Sequence, residues 1–284
     1  KNFFHKMILN TNTLYIVSTP IGNLDDLTLR AEKVLKNSDI ILCEDTRHSV
    51  KLLNHFKIKK KLISYHKFNE RKQLINIIEH INQGKILSLI SDAGTPMLSD
   101  PGRILLNECI KRNIGIVPIP GVSSITTALS VSGFSDQFLF FGFLPKKESE
   151  INKILTSLKN ISYSLVFFVP GKKINNYLSK FKEYFPERKI LIAKELTKIH
   201  ENLIRGDINN LKINKTSMKG EVTVVISDHK FTERTDKNEI INKAKKYLKK
   251  YSLKDTVELI LQTGKFKKKE IYEICLSLKN EKNN

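Results

Sequence analysis

The sequence predicts an α/β protein made of two successive α/β domains and a helical C-terminal module. Three observations predict it. Through the first half, short apolar runs alternate with stretches of helical periodicity, the pattern of a mostly parallel sheet. A second series of strand-like runs follows the dense apolar segment Gln137–Leu144. From Lys230 onward the chain is very basic and only helical patterns remain. The expected divisions are residues 13–136, 137–229 and 230–284. At 284 residues and 40% hydrophobic content, the chain is long and apolar enough to bury a real core.

Leu14–Ser18 reads as the first strand, and Leu27–Leu35 has helical periodicity. Asp39–Cys43, Lys61–Ser64, Ile86–Ser91 and Gly115–Pro118 are further strands, with helices that include Arg71–Ile81 and Ile104–Arg112 between them. The run QFLFFGFL, Gln137–Leu144, ends at Pro145 and marks the crossing into the second domain. That domain opens with a helix near Glu150–Leu158. Strands at Tyr163–Val169, Lys189–Ala193, His200–Arg205 and Glu221–Ser227 follow, with a helix at Ile174–Tyr184. This half has more antiparallel character. In the tail, Lys237–Lys250, Leu253–Gln262 and Lys269–Leu278 are amphipathic helical patterns. Thr263–Lys265 breaks between the last two, Gly264 supplying the turn. Two helices about a Gly turn resemble a helix-turn-helix module; the other reading is a helical cap that packs on the body.

Composition bounds the function. No window holds eighteen uninterrupted apolar residues, so no membrane span is expected. Lys1–Asn12 has no long apolar run and no small-residue cleavage site, so no secretory signal is read; Lys1–Lys6 read as an extension ahead of Met7. Cys43, Cys109 and Cys275 are far apart and form no C-x-x-C pair, which argues against a zinc site or a disulfide framework and fits a reducing cytoplasm. The seven histidines have no metal-ligand spacing, and no metal is expected. The formal charge of +20 has two readings. Phosphate neutralisation by a nucleic-acid partner explains it. So does a Lys-, Asn- and Ile-rich codon bias.

Several nucleotide and nucleophile signatures are absent: no G-x-G-x-x-G after the first strand, no G-x-x-x-x-G-K-[ST], no G-x-S-x-G. What stands instead is a series of polar, Gly- or Pro-bearing loops at strand ends. They are Ser18–Leu24 (STPIGNL), Cys43–Arg47 (CEDTR), Ser91–Pro96 (SDAGTP) with Leu98–Gly102 (LSDPG), and Pro118–Ser124 (PIPGVSS) leading into Ala128–Gly133. Any one is an ordinary tight turn. Four in order, each after a strand, meet along one sheet edge, where ligands of open α/β folds bind.

These strings, STPIGNLDDLTLRA, CEDTRH, SDAGTPMLSDPG, PIPGVSS and ALSVSGF, resemble the bacterial small-subunit ribosomal RNA 2′-O-methyltransferases of the tetrapyrrole-methylase superfamily. The likeness continues through Val166–Pro170, Ile192–Glu201 and Gly220–Ile226 into the tail, covering roughly residues 14–279. It departs at Pro170–Lys173, where relatives carry other polar residues and this chain offers Lys172 and Lys173.

The resemblance implies S-adenosyl-L-methionine bound in a cleft between the two α/β domains. It places Pro20 against the cofactor, wraps Ala93, Gly94 and Thr95 around its methionine end with Leu98 nearby, and sets Ser123 and Ser124 opposite. Asp92 stands with them, or simply caps its turn. Val169 and Leu196 would flank the adenine, or else belong to the core. The reaction it implies is methylation of a cytidine 2′-hydroxyl in 16S ribosomal RNA, at the decoding centre of the small subunit. An in-line methyl transfer asks chiefly for positioning and an acceptor for the hydroxyl proton. Asp45, Arg47 and Asp100 are the candidates for that chemistry, with Glu44, Asp92, Lys194 and Glu195 as further options. Asp45 and Arg47 equally suit a structural ion pair. The resemblance, with the apolar run Phe138–Leu144, also implies a homodimer. A tetrapyrrole methyltransferase of the same fold, or a non-catalytic RNA-binding protein, are the alternatives.

Overall fold

A computed structural model of the chain describes residues 9–213, 218, 220–229, 237–262 and 268–280. The expected turn at Thr263–Lys265 and the extension Lys1–Lys6 lie outside the described residues. Two compact units emerge, residues 1–229 and 230–284.

The first sheet is entirely parallel. Its strands are β1 (Thr13–Val17), β2 (Ile40–Cys43), β3 (Lys61–Ser64), β4 (Leu87–Leu89) and β5 (Gly115–Ile119), in the order β3-β2-β4-β1-β5. Both faces are covered, which is why the strands are apolar on both sides. With a period of two, Leu14, Ile40 and Leu42 face α3 (Glu70–Asn82) and α4 (Arg103–Lys111), while Tyr15, Val17, Ile41 and Cys43 face α1 (Leu29–Asn37) and α2 (Thr46–His55). Helix α1 begins where Thr28 accepts the Ala31 amide, and Ala31, Val34 and Leu35 form its buried stripe.

Helix α5 (Ser124–Ser130) leaves the first sheet and presses Ile125 and Ala128 onto the second. The second sheet runs β6-β7-β10-β8-β9: β6 (Phe138–Phe143), β7 (Ser164–Pro170), β10 (Glu221–Ile226), β8 (Lys189–Lys194) and β9 (Asn202–Asp207). Only β6 and β7 pair in parallel; the other pairs are antiparallel. The expected crossing segment is therefore an edge strand. Its other face carries α6 (Glu148–Leu158) and α7 (Ile174–Tyr184), packed on Leu165, Phe167, Val169, Ile192 and Val224.

The unit 230–284 contains α8 (Lys237–Tyr247), α9 (Leu253–Leu261) and α10 (Lys268–Asn280) among its described residues. Ile240, Ala244, Val257, Ile260, Ile271 and Cys275 make its small core. Ser252 caps α9 by accepting the Asp255 amide.

The sequence reading named neither α2 nor α5. Helix α2 starts in the polar string that follows β2 and buries only Ser49 and Leu53. Helix α5 is seven residues long and Thr-rich. Helix α5 is too short to show a period, and the amphipathic pattern of α2 is confined to ten residues that open in a polar string.

Candidate active site

Strands β1 and β4 are neighbours, yet the chain leaves them in opposite directions, toward β2 from β1 and toward β5 from β4. Such a switch point opens a crevice beyond the strand ends. Here the loops after β1 and β4 bridge it. The Thr19 amide donates to Gly94 O at 2.9 Å, and the Gly94 amide donates to Thr19 O at 3.0 Å. The Ser91 hydroxyl donates to Gly94 O (3.2 Å), Ser18 Oγ meets Thr95 Oγ1 (3.1 Å), and Thr95 Oγ1 reaches Val122 O (3.1 Å). Three of the sequence-predicted loops are thus one hydrogen-bonded body. The fourth joins it where the Asp45 amide donates to Asp92 Oδ1 at 3.2 Å. Gly94 has a φ of +79°, and a Cβ there would sit 3.2 Å from Ile21 Cγ2. Both facts call for glycine.

The opposite wall comes from the second sheet. The connection from β8 to β9 folds back through Glu195 and Thr197, both at positive φ. It is clasped to the first loop where the Asn23 amide donates to Thr197 Oγ1 at 3.0 Å. Gly22 makes the clasp possible, because a Cβ there would lie 2.4 Å from Lys198 Cγ and 2.9 Å from Leu196 O.

Between these walls is a cavity of about 280 Å³, close to the lower end of small-molecule sites, about 300 Å³. Of the sequence candidates, Ala93, Gly94, Thr95, Leu98 and Asp100 line one side, Ser123 and Ser124 the next, and Leu196 the far wall. Pro20 is buried, and its neighbour Ile21 is the lining residue. Val169 lies in the core beneath α6 and α7, one residue from Phe168, which lines the cavity. Strand alternation separates the two. Asp45 and Arg47 are outside the lining. Arg47 donates from Nε and Nη2 to the two Asp45 carboxylate oxygens at 3.1 and 2.7 Å, and its amide is capped by Asp45 Oδ1 at 2.8 Å. These hydrogen bonds hold the Asp45 carboxyl down at about 2. A carboxylate so stabilised is a poor proton acceptor at neutral pH.

The sequence reading missed Phe143, Phe168, Lys198, Glu221 and Thr223, which also line the cavity. Glu221 and Thr223 carried a signal: they are polar positions in the otherwise apolar string EVTVVI. Glu195, one of the further options, lines the wall beside Lys198, which donates to it at 3.0 Å.

Electrostatically the cavity is acidic. Asp100 is pushed up to about 7, first by removal from water and then by repulsion from Glu44, Asp92 and Glu221. Burial, then Asp92, raises Glu44, and burial raises Glu221. Crowded carboxylates resist losing their last proton, so a nearby positive charge would be welcome here. Among the described residues no cluster of His, Cys, Asp and Glu has the arrangement of a metal site. No described helix is long and apolar enough to cross a membrane.

Comparison with known proteins places this site in context. The chain is 44% identical over 278 residues to the ribosomal RNA small subunit methyltransferase I of Rickettsia prowazekii, covering 94% of this chain and 97% of that one. It is 41% identical over 217 residues to the Thermotoga maritima protein of the same name, covering 75% and 97%. The fold matches diphthine synthase with a TM-score of 0.59 at 13% identity, covering 76% and 91%. It matches a Thermus thermophilus uroporphyrin-III C-methyltransferase complexed with S-adenosyl homocysteine with a TM-score of 0.53 at 16% identity, covering 76% and 97%. Residues 13–212 fit the profile of the tetrapyrrole (corrin/porphyrin) methylases. With its five-stranded parallel sheet, mixed second sheet and switch-point cavity, the chain belongs to that family, alongside the ribosomal RNA small subunit methyltransferase I proteins.

Proposed function

We propose that this chain is an S-adenosylmethionine-dependent ribosomal RNA methyltransferase that methylates a cytidine 2′-hydroxyl in 16S RNA, at the decoding centre of the small subunit in the cytoplasm. The observation that carries this is the acidic cavity at the switch point of a chain 44% identical to a small-subunit methyltransferase over nearly its whole length. The cavity suits the cofactor chemically. S-adenosylmethionine carries a sulfonium and an ammonium, and the described lining offers Asp100, Glu195 and Glu221 against Lys198. Ile21, Phe168, Leu196 and Val222 supply an apolar wall for the adenine. Gly94 admits the close approach of a ligand backbone.

When bound, the cofactor supplies a methyl group on a positively charged sulfur that leaves as a neutral sulfide. The protein has two tasks: to hold the ribose oxygen in line and to take its proton. Asp100 is the group we assign to the second. It lines the cavity, and a value of about 7 leaves it partly ionised at neutral pH. A proton acceptor works best when its pKa is near the operating pH. The carboxylate accepts the hydroxyl proton as the oxygen–carbon bond forms. Glu44, Asp92 and Glu221 keep Asp100 basic. The Asp45–Arg47 pair fixes the neighbouring loop, and the exposed Arg47 guanidinium is free on its outer face to meet phosphate.

RNA is held by cations outside the cavity. Lys172 and Lys173, after β7, and Lys245, Lys246, Lys249 and Lys250 of the C-terminal unit are exposed. Their attraction for phosphate is independent of sequence. The protein acts as a homodimer joined through the edge strand β6, where Phe138, Leu139 and Phe143 are 42%, 36% and 39% exposed. An unpaired apolar edge calls for a partner.

The test is methyl transfer from labelled S-adenosylmethionine to small subunits, to naked 16S RNA, and to a uroporphyrin-type tetrapyrrole. Label in RNA that survives alkaline hydrolysis as a dinucleotide supports ribose methylation. Label in the tetrapyrrole alone transfers the chain to small-molecule chemistry.

A further inference from the structure

At the carboxyl end of β3, Phe68 stands 94% exposed on the short segment that joins the strand to α3. One exposed apolar side chain is ordinary. Phe68 differs in how firmly its segment is built and in what surrounds it. Asn69 locks the turn, its Oδ1 accepting the His66 amide at 2.8 Å and its Nδ2 donating to Ser64 O at 2.9 Å. The Phe68 amide donates to His66 Nδ1 at 3.3 Å, and the His66 ring stands edge-on to Phe68 at 6.1 Å between centroids. The benzyl face is thereby presented to solvent on a fixed backbone.

The segment is also tied to the active site. Glu70, buried at the start of α3, accepts the Gly102 amide at 2.6 Å. Gly102 is two residues beyond Asp100, at most about 7 Å of extended chain. The loop that supplies the proton acceptor and the loop that displays Phe68 therefore share one buried hydrogen bond. Around this junction Lys67, Arg71, Lys72 and Arg103 are exposed, and none makes an ion pair among the described residues. An exposed aromatic ring on a segment flanked by exposed, unpaired cations suits single-stranded nucleic acid, the ring stacking a base and the cations meeting its phosphates.

We propose that Phe68 is a stacking platform for an unpaired base of the RNA beside the nucleotide being methylated, with Lys67, Arg71, Lys72 and Arg103 gripping the flanking phosphates. This rests on the reading of the chain as an RNA methyltransferase. The stack anchors the strand at the cavity mouth while the target ribose enters, so Phe68 is a positioning residue that does not touch the reacting atoms.

The experiment compares wild type with Phe68→Ala, Phe68→Leu and Phe68→Trp in the full-length protein. RNA affinity is measured without cofactor on small subunits and on a target-site oligonucleotide whose nucleotides next to the target are replaced in turn by 2-aminopurine. S-adenosylmethionine affinity and sedimentation mass are measured alongside. Affinity about tenfold weaker is expected for Ala and Leu, near-wild-type affinity for Trp, and unchanged cofactor affinity and mass for all. The 2-aminopurine emission should be quenched at one flanking position by wild type and Trp, and not by Ala. In turnover the loss should fall on KM and spare kcat. Leu binding as well as Phe, or a fall in sedimentation mass, overturns the proposal by showing aliphatic packing or contact with a second copy. Because the binding arm uses no cofactor, it decides the stacking role even if wild type fails to methylate the RNA; that failure would sink the parent reading instead. Wild type binding no RNA at all overturns both.

Discussion

Replacing Asp100 with Asn is expected to raise stability while abolishing most activity, and the two effects follow from one number. In the folded protein the carboxyl is pushed from 3.8 to about 7. A group that binds its proton more tightly folded than unfolded favours folding fully below its unfolded value. That contribution is lost as pH rises from about 4 to about 7, leaving the charged carboxylate as a liability above. The rise corresponds to about 4 kcal/mol at most. Asp100 is half-buried, and screening by water reduces this to about 2 kcal/mol. Asn keeps the shape and removes the charge. At pH 8, without cofactor, Asp100→Asn should therefore unfold about 4–8 °C higher than wild type. At pH 4.5 the two should coincide within about 2 °C. Methyl transfer should fall about 10²- to 10⁴-fold, the usual contribution of a positioned acceptor. Wild-type turnover should rise with pH to a plateau, with a midpoint at or below 7 because a bound sulfonium lowers the acceptor's pKa. Scanning calorimetry at the two pH values and single-turnover transfer to small subunits read both effects. A stability gain that is the same at both pH values would refute the electrostatic argument, and undiminished transfer would refute the acceptor role.

Further outcomes are expected. Gly94→Val forces a β-branched residue to a φ of +79° with its Cβ 3.2 Å from Ile21 Cγ2; cofactor affinity by calorimetry should drop at least about tenfold, and equal affinity would misplace the methionine end. Gly22→Ala drives a Cβ into Lys198 Cγ and Leu196 O and should open the clasp, weakening cofactor binding about tenfold, at the scale of overpacking; unchanged binding would mean that the clasp does not shape the cavity. Leu139→Lys on β6 should convert a dimer to a monomer in sedimentation, and a wild-type monomer at micromolar concentration removes the dimer altogether. A chain ending at Lys230 should keep its cofactor affinity and lose RNA affinity mainly at low salt; RNA binding equal to the full chain would reduce the C-terminal helices to packing.

The first sheet was legible because its strands announce themselves locally. Apolar runs of four to six residues, bounded by Gly, Pro and polar strings, have few other fates. Gly22, Gly94 and the Ser-Asp-Ala-Gly-Thr string were visible as loop chemistry for the same reason, and Ala93–Thr95, Leu98, Asp100, Ser123, Ser124 and Leu196 all line one cavity. Helices α2 and α5 were not legible. Each is short and buries few residues, Leu53 against the first sheet and Ile125 and Ala128 against the second, so little of its pattern shows in a local window.

By itself, then, the sequence determined which segments become strands and which loops end them, because period and turn chemistry are properties of a few adjacent residues. The tertiary structure alone decided the rest. The strand order makes β1 and β4 neighbours, so that Thr19 and Gly94, 75 positions apart, exchange two hydrogen bonds. The alternation of β7 aims Phe168, and not Val169, at the cavity. The value of about 7 at Asp100 arises from lost water and from Glu44 and Asp92, on two separate loops, and Glu221, at the start of β10. Dehydration and charge repulsion act through space, and no local window of sequence contains the distances on which they depend.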